Sequence, residues 1–234
     1  MMQHHDDIER VDWDTFLDRF RWQQGEHVSL IGHTNSGKTT LAIAILHRRK
    51  YVMAIGTKPA DPTLQRLIRE EGYKRLLEWP EYLPLDLYQK YVLWPKFVKP
   101  SDVKKQQLVI AKGIAEMFVQ RGWAIFADEM SYLTRTLKLG PLMTTVWQQG
   151  RSIGLSLISG TQRPAWVPLE MYSQATHLFL WQENDRYNLK RMADIGGADS
   201  ILIARHVARL RNHETLYVNT RTGQLYITEV NLAK

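Results

Sequence analysis

An α/β fold with a central parallel sheet is what this sequence predicts, on three observations. An apolar run, His27 to Ile31, leads through Gly32-His33-Thr34-Asn35-Ser36-Gly37-Lys38-Thr39-Thr40 into a helical run from Leu41 to Arg49. Two later apolar runs also end in polar residues, Trp123 to Ala127 in Asp128-Glu129 and Leu155 to Ser159 in Gly160-Thr161-Gln162-Arg163-Pro164. Between them short apolar runs alternate with helical ones, the pattern of βαβ units, whose crossovers join parallel strands.

Trp13, Phe16, Leu17 and Phe20 recur at i, i+3, i+4 and i+7, so Asp12 to Trp22 reads as an amphipathic helix closed by Gly25. Strand His27 to Ile31, the Gly-rich loop, helix Lys38 to Arg49 and strand Tyr51 to Gly56 form the first βαβ unit. His47-Arg48-Arg49-Lys50 ends that helix, where cations suit the macrodipole, a reading preferred to contact with DNA. Asp61 caps a helix from Pro62 to Glu71, with proline at its first position. Trp79-Pro80 to Pro84 and Trp94-Pro95 to Pro100 read as turns around a short element, Leu85 to Leu93. A helix from Ser101 or Asp102 to about Arg121 carries Val109, Ile110, Ile114, Met117 and Phe118 at helical spacing. Lys96, Lys99, Lys104 and Lys105, near Trp94 and Phe97, suit either a nucleic-acid surface or a solvated face over an aromatic cluster. The second half gives strand Trp123 to Ala127, helix Pro141 to Gly150, strand Leu155 to Ser159, helix Pro168 to Gln174 and strand Thr176 to Trp181. Helices Asp185 to Ile195 and Asp199 to Leu210 follow, then a hairpin of Glu214 to Asn219 and Gln224 to Glu229.

With 234 residues the chain accommodates one sizeable core, divided here into an acidic segment with its helix (1–25) and an α/β core (26–234). No apolar run approaches the ~20 residues that span a bilayer, so no membrane insertion is expected. Met1 to Ile8 is polar and acidic, unlike a secretory signal, and a cytoplasmic location follows. The absence of cysteine excludes disulfides, thiolate metal sites and thiol nucleophiles. Residues 1 to 18 hold six acids and one base, a net of −5, which leaves +12 on the remainder against a total of +7. A body that basic suits a polyanionic partner, although excess lysine and arginine also serve solubility alone.

The loop matches the phosphate-binding pattern G-x-x-x-x-G-K-[ST] between a strand and a helix, the context that pattern requires. Glycines at both ends let successive N–H groups and the helix N-terminus point at one anion, a cradle for the triphosphate of ATP. Gly32 through Thr40 form this site: Lys38 reaches the β- and γ-phosphates, the Thr39 hydroxyl ligates Mg²⁺, and Thr40 is a spare hydroxyl that packs. Ligands of a parallel sheet sit beyond the carboxyl ends of its strands, where Asp128 and Glu129 also fall. Asp128 holds Mg²⁺ through water and Glu129 activates the water that attacks the γ-phosphate. Gln162 can bond that phosphate or water without adding charge. Arg163 or Arg151 supplies positive charge to the transition state, across a subunit interface, or else meets solvent or DNA phosphates.

The loop, the Asp-Glu pair and the stretch Gly150-Arg151 to Gly160-Thr161-Gln162-Arg163-Pro164 together resemble the FtsK/HerA superfamily of DNA-pumping ATPases, over roughly Glu26 to Trp181. The resemblance implies a RecA-like (ASCE) P-loop NTPase with sheet order 5-1-4-3-2, assembled as a ring, often a hexamer, with ATP sites between subunits. It implies Lys38 and Thr39 as nucleotide and Mg²⁺ ligands, Asp128 and Glu129 as the Walker B pair, and Gln162 as the sensor. Asn35 stands where the family commonly has glycine, a change that asparagine's tolerance of left-handed angles absorbs. Lacking the membrane-spanning and terminal DNA-reading parts of the larger motors, the chain is most similar to the packaging ATPases of viruses or mobile elements. That similarity implies double-stranded DNA and a portal or capsid vertex as partners, in the host cytoplasm or on a virion. Arg135 and Lys138, after Glu129, are candidates to face a DNA pore or simply solvent. Two readings compete, an ATPase that acts on protein in assembly or secretion and a nucleotide switch with little turnover; Glu129 opposes the second.

Overall fold

The computed structural model describes residues 8–97, 99–193 and 199–232. The polar start through Asp7, Val98 of the second proline turn and the last two residues expected in the Asp185–Ile195 helix lie outside them.

Among the described residues nine strands form one sheet: β1 (His27–Ile31), β2 (Val52–Ile55), β3 (Lys74–Leu76), β4 (Lys90–Leu93), β5 (Ala124–Ala127), β6 (Ser156–Thr161), β7 (Ala175–Trp181), β8 (Glu214–Asn219) and β9 (Leu225–Glu229). They lie in the order β3-β4-β2-β5-β6-β1-β7-β8-β9. The first seven are parallel, while β8 and β9 add on as the antiparallel hairpin expected at the end. Read from β7 back to β2, the central five strands take the expected order 5-1-4-3-2. Every residue of β1, β2, β5, β6 and β7 is buried. Strands covered on both faces read as unbroken apolar runs, which is why these were visible in the sequence.

One face of the sheet packs on α1 (Trp13–Arg19), α2 (Lys38–Leu46) and α3 (Pro62–Glu70). The other packs on α4 (Val103–Gln120), α5 (Gly140–Gln149), α6 (Glu170–Ser173), α7 (Arg186–Ala193) and α8 (Ser200–Val207). Asp61 caps α3 as expected, accepting from the Thr63 and Leu64 N–H groups at 3.0 and 3.2 Å. No described helix is long and apolar enough to cross a membrane.

Several expectations are corrected. The first helix stops at Arg19, not Trp22, because Phe20 turns extended and both Phe20 and Trp22 enter the core. Gly25 does not close that helix; it takes φ 86° in the turn into β1, where a Cβ would stand 2.7 Å from the Arg151 carbonyl oxygen. The basic cluster beyond α2 does more than meet a dipole. Arg48 donates to Phe20 O at 2.6 Å, and Arg49 donates to Trp22 O (3.0 Å), Gln23 O (2.6 Å) and Gln24 Oε1 (2.9 Å) while lying 3.8 Å above the Trp22 ring. These arginines clamp the N-terminal segment to the core. In the middle region the expected Leu85–Leu93 element is only the strand β4, and β3 was not foreseen. Trp94 is buried, with Nε1 donating to Lys58 O at 2.8 Å, and Lys105 pairs with Glu78 at 2.7 Å, while Lys96, Lys99 and Lys104 are exposed.

Candidate nucleotide-binding site

From the end of β1 the chain turns sharply into α2. Asn35 (φ 62°) and Gly37 (φ 104°) take left-handed angles, Asn35 in the manner its side chain permits, and α2 begins at Lys38. Gly32 backs onto Trp181, where a Cβ would come within 2.6 Å of the tryptophan Cβ. Lys38 curls into this turn and donates from Nζ to Gly32 O (2.7 Å) and His33 O (2.6 Å). It is only 6% exposed. Burial pushes its pKa down, while Asp128 and Glu129 pull it back toward the charged form. Lys38 is thus a largely desolvated cation held by two loop carbonyls at the start of α2, where free helix N–H groups favour an anion.

The ends of β5 and β6 bring the remaining groups to the same place. Thr39 Oγ1 donates to Asp128 Oδ1 at 3.4 Å. Asp128 Oδ2 lies 3.9 Å from Lys58 Nζ, which is also 3.9 Å from Asp61 Oδ2. Ser131 Oγ donates to Glu129 Oε1 at 2.6 Å and so orients that carboxylate. Thr34 Oγ1 donates to Gln162 Oε1 at 2.7 Å, a direct bond between the loop and the end of β6. Gly160 permits the approach of β6 to β5: a Cβ there would stand 2.4 Å from Asp128 O. Loop residues 34–40, Lys58, Asp61, Asp128 and Gln162 line a cleft of about 580 Å³, a size suited to a nucleotide.

A hydroxyl and a carboxylate in contact are hard oxygen donors that fit Mg²⁺, an ion that keeps several waters and takes other ligands from phosphate. Among the described residues no cluster of three or more His, Asp or Glu could hold a metal by itself. A cation at Thr39 and Asp128 would therefore depend on phosphate oxygens.

The structure thus gathers Thr34 to Thr40, Asp128 and Gln162 around one cleft, with Gly32 and His33 bonded to Lys38 behind it, while Glu129 lines a smaller adjoining pocket shared with Thr39, Lys58 and Asp128. It does not bring Arg151 there. That residue lies in the turn after α5 that precedes β6, at the amino end of the parallel strands, whereas the loop leaves their carboxyl end. Arg163 is at the right end, but its guanidinium lies 4.1 Å above the Trp166 ring. Arg135 lies 4.6 Å above the same ring, in a π-helical turn over Tyr132–Thr136. Lys58, just past the carboxyl end of β2 and not singled out in the sequence, also lines the cleft. His213 and Leu232 also line the cleft, and no pattern in the sequence marked them.

No family model matches this sequence, and no curated protein matches it. Solved structures do. The genome packaging NTPase B204 of Sulfolobus turreted icosahedral virus 2, in complex with AMPPCP, superposes with a TM-score of 0.66 at 18% identity, over 89% of this chain and 100% of that one. The chain has a RecA-like P-loop ATPase fold. The same fold relates it to the bacterial conjugative coupling protein TrwB (TM-score 0.63, 10% identity, 97% of this chain and 93% of that one) and to VirB4 of Thermoanaerobacter pseudethanolicus (0.62, 10%, 88% and 89%). The loop Gly32–Thr40 leaves β1, which lies between β7 and β6 in that five-stranded core.

Proposed function

We propose that the chain is a Mg²⁺-dependent ATPase that moves double-stranded DNA, as a packaging motor of a virus or mobile element, and that it works as a homo-oligomeric ring, favoured as a hexamer. The observation that carries the ATPase reading is the convergence of Lys38, the Thr39–Asp128 pair and Gln162 on one cleft, with Glu129 in the adjoining pocket and near enough to favour the charged form of Lys38. Lys38 and the loop N–H groups offset the charge of the β- and γ-phosphates. Mg²⁺, when bound, supplies further charge compensation, and Thr39 and Asp128 are the residues that would hold it. Glu129, oriented by Ser131, takes a proton from the attacking water as its oxygen bonds to the γ-phosphorus and the bond to the β–γ bridging oxygen breaks, releasing ADP and phosphate. Gln162 already bonds Thr34, so a γ-phosphate contact there would be felt by the loop and by β6 together. Arg151, at the far end of the sheet, does not reach this copy's site; a catalytic role for it would require the site of another copy.

Support for DNA comes from charge. The chain is +7 overall, and Arg135 and Arg163 project beside the half-exposed Trp166 at the cleft's end of the sheet. Neither guanidinium pairs with a carboxylate among the described residues, so both are available to phosphates. The portal or capsid vertex remains the partner proposed for the assembled motor.

The test is ATP hydrolysis with and without long double-stranded DNA, at low and high salt, with Glu129→Gln as the inactive control that still binds nucleotide. DNA should raise turnover at low salt and lose the effect at high salt. Turnover indifferent to DNA at low salt would reject the motor and leave an ATPase that acts on protein partners.

A further inference from the structure

The phosphate loop has neighbours on both sides. On one side stand the ends of β6 and β5, with Gln162 and Asp128. On the other, beyond β7, stand the start of β8 and the end of β9, which reach the same edge because β8 runs antiparallel to β7 and β9 to β8. His213 immediately precedes β8, and Val230 to Leu232 follow β9. The Val230 N–H donates to His213 O at 3.0 Å and ties the two segments together. Val230 in turn abuts the loop, since a Cβ on Gly37 would stand 3.1 Å from the Val230 Cβ. His213 and Leu232 then close this side of the cleft.

The two sides differ in chemistry. Lys58, Asp61, Asp128 and Gln162 make the first polar and charged, which suits phosphate and metal. The second offers an imidazole ring and an aliphatic side chain. Glu214, next in sequence, is turned away to Arg10 and to the Arg211 N–H (2.8 Å). Leu232 is 48% exposed, a large apolar side chain left at the mouth of a polar cleft. His213 holds a left-handed backbone (φ 64°) that a residue with a Cβ adopts at a cost, and its Nδ1 is buried with no hydrogen-bond partner among the described residues. No hydrogen bond or ion pair among the described residues holds that ring, which borders both this cleft and the cavity beside Arg10–Trp13.

We infer that His213 and Leu232 are the platform for the base of the nucleotide whose phosphates the loop holds, an inference that rests on the ATP-binding reading above. Two strand spacings, about 10 Å, separate β8 from β1, a gap that a ribose bridges between phosphate and base. The platform recognises a planar base by stacking and apolar contact. It therefore favours the larger purine over a pyrimidine, with no hydrogen-bond code for one purine.

The test is direct titration of the full chain with ATP, CTP and inorganic tripolyphosphate, each with Mg²⁺, for the wild type, His213→Asn and Leu232→Ser. Asparagine tolerates the left-handed backbone, so His213→Asn removes the ring without straining the turn. ATP affinity should fall about tenfold in His213→Asn, as expected for loss of a base-stacking contact, with a smaller fall for CTP and tripolyphosphate unchanged. Equal losses for ATP and tripolyphosphate would overturn the platform, because the loop itself would then be damaged. Unchanged ATP affinity in both variants would overturn it too, as would a wild type that binds ATP no better than tripolyphosphate. A wild type that binds none of the three rejects the ATP-binding reading itself, a result distinct from failure of the platform alone.

Discussion

His27, the first residue of the strand that carries the phosphate loop, offers the sharpest test of how the sheet is locked. Its Nδ1 accepts from the Leu157 N–H at 3.1 Å, so its Nε2 carries the proton and donates to Trp147 O at 3.1 Å. One neutral tautomer satisfies both β6 and α5, and protonation of Nδ1 would break the bond to β6. Burial, with the ring 2% exposed, pushes the pKa down to about 4; the Trp147 bond opposes that shift and the Arg151 charge adds to it. The unfolded chain takes up the proton near the ordinary value of 6.5, the folded chain only near 4. Below pH 6.5 the unfolded state therefore binds more protons, and stability that is complete above that pH is lost as the pH falls toward 4. By linkage the whole effect is about 3 kcal/mol, with about 2 kcal/mol gone by pH 5. Urea unfolding of the wild type and His27→Gln between pH 7.5 and 5 isolates it, because glutamine cannot titrate. Glu26 and Glu214 act at lower pH in both proteins. Burial opposes ionisation of each, but His177 and the Gln23 N–H hold the Glu26 carboxyl below its ordinary value, and the Arg211 N–H and Arg10 do so for Glu214. Parallel pH dependence in wild type and variant would refute the neutral lock.

Two further outcomes follow from close contacts. Gly160→Ala places a methyl group 2.4 Å from Asp128 O, so it should cost about 1–3 kcal/mol of stability and weaken Mg²⁺-ATP binding through the displaced carboxylate; calorimetric melting and nucleotide titration check both, and normal values for both would show that β6 can move away freely. Arg49→Ala removes three hydrogen bonds and the contact with the Trp22 ring, a loss of about 2 kcal/mol that should expose the segment before Glu26 to protease. Burial has already lowered the Arg49 pKa to about 10. Lysine at this position should rescue little, since the planar fork makes the contacts, and full rescue would count against the clamp.

The parts of the fold that could be read from sequence are those where a local signal and the tertiary outcome coincide. β1, β5 and β6 are buried on both faces, so each was an apolar run whose polar end marked a site residue. Asp61 signalled its own cap. β3 could not be read, because Lys-Arg-Leu at a sheet edge needs no apolar pattern, only a neighbouring strand. The partners of Arg48 and Arg49 lie more than twenty residues upstream, so helix-end electrostatics was the best local account of residues whose carbonyl partners are tertiary. The site divides in the same way. Lys38, Thr39, Asp128, Glu129 and Gln162 follow fixed positions on strands, while Lys58, His213 and Leu232 reach the cleft only through the topology of the sheet.

That topology also bears on how hydrolysis could be felt outside the cleft. Gln162 bonds the phosphate loop through Thr34, and the next residue, Arg163, lies over Trp166. Six residues after Glu129, Arg135 lies over the same ring, in a π-helical turn that departs from ordinary helical spacing. One exposed ring therefore joins the two arms of chain that leave the ends of β5 and β6, each arm rooted in a residue proposed to act on the γ-phosphate. In the motor reading, a shift of Gln162 between the loop and the γ-phosphate changes where Arg163 stands relative to Arg135 without any long relay. In that reading, a pair of cations whose spacing followed the nucleotide would suffice to grip and release a phosphate backbone, and one of the two, Arg163, is next in sequence to Gln162, the proposed sensor.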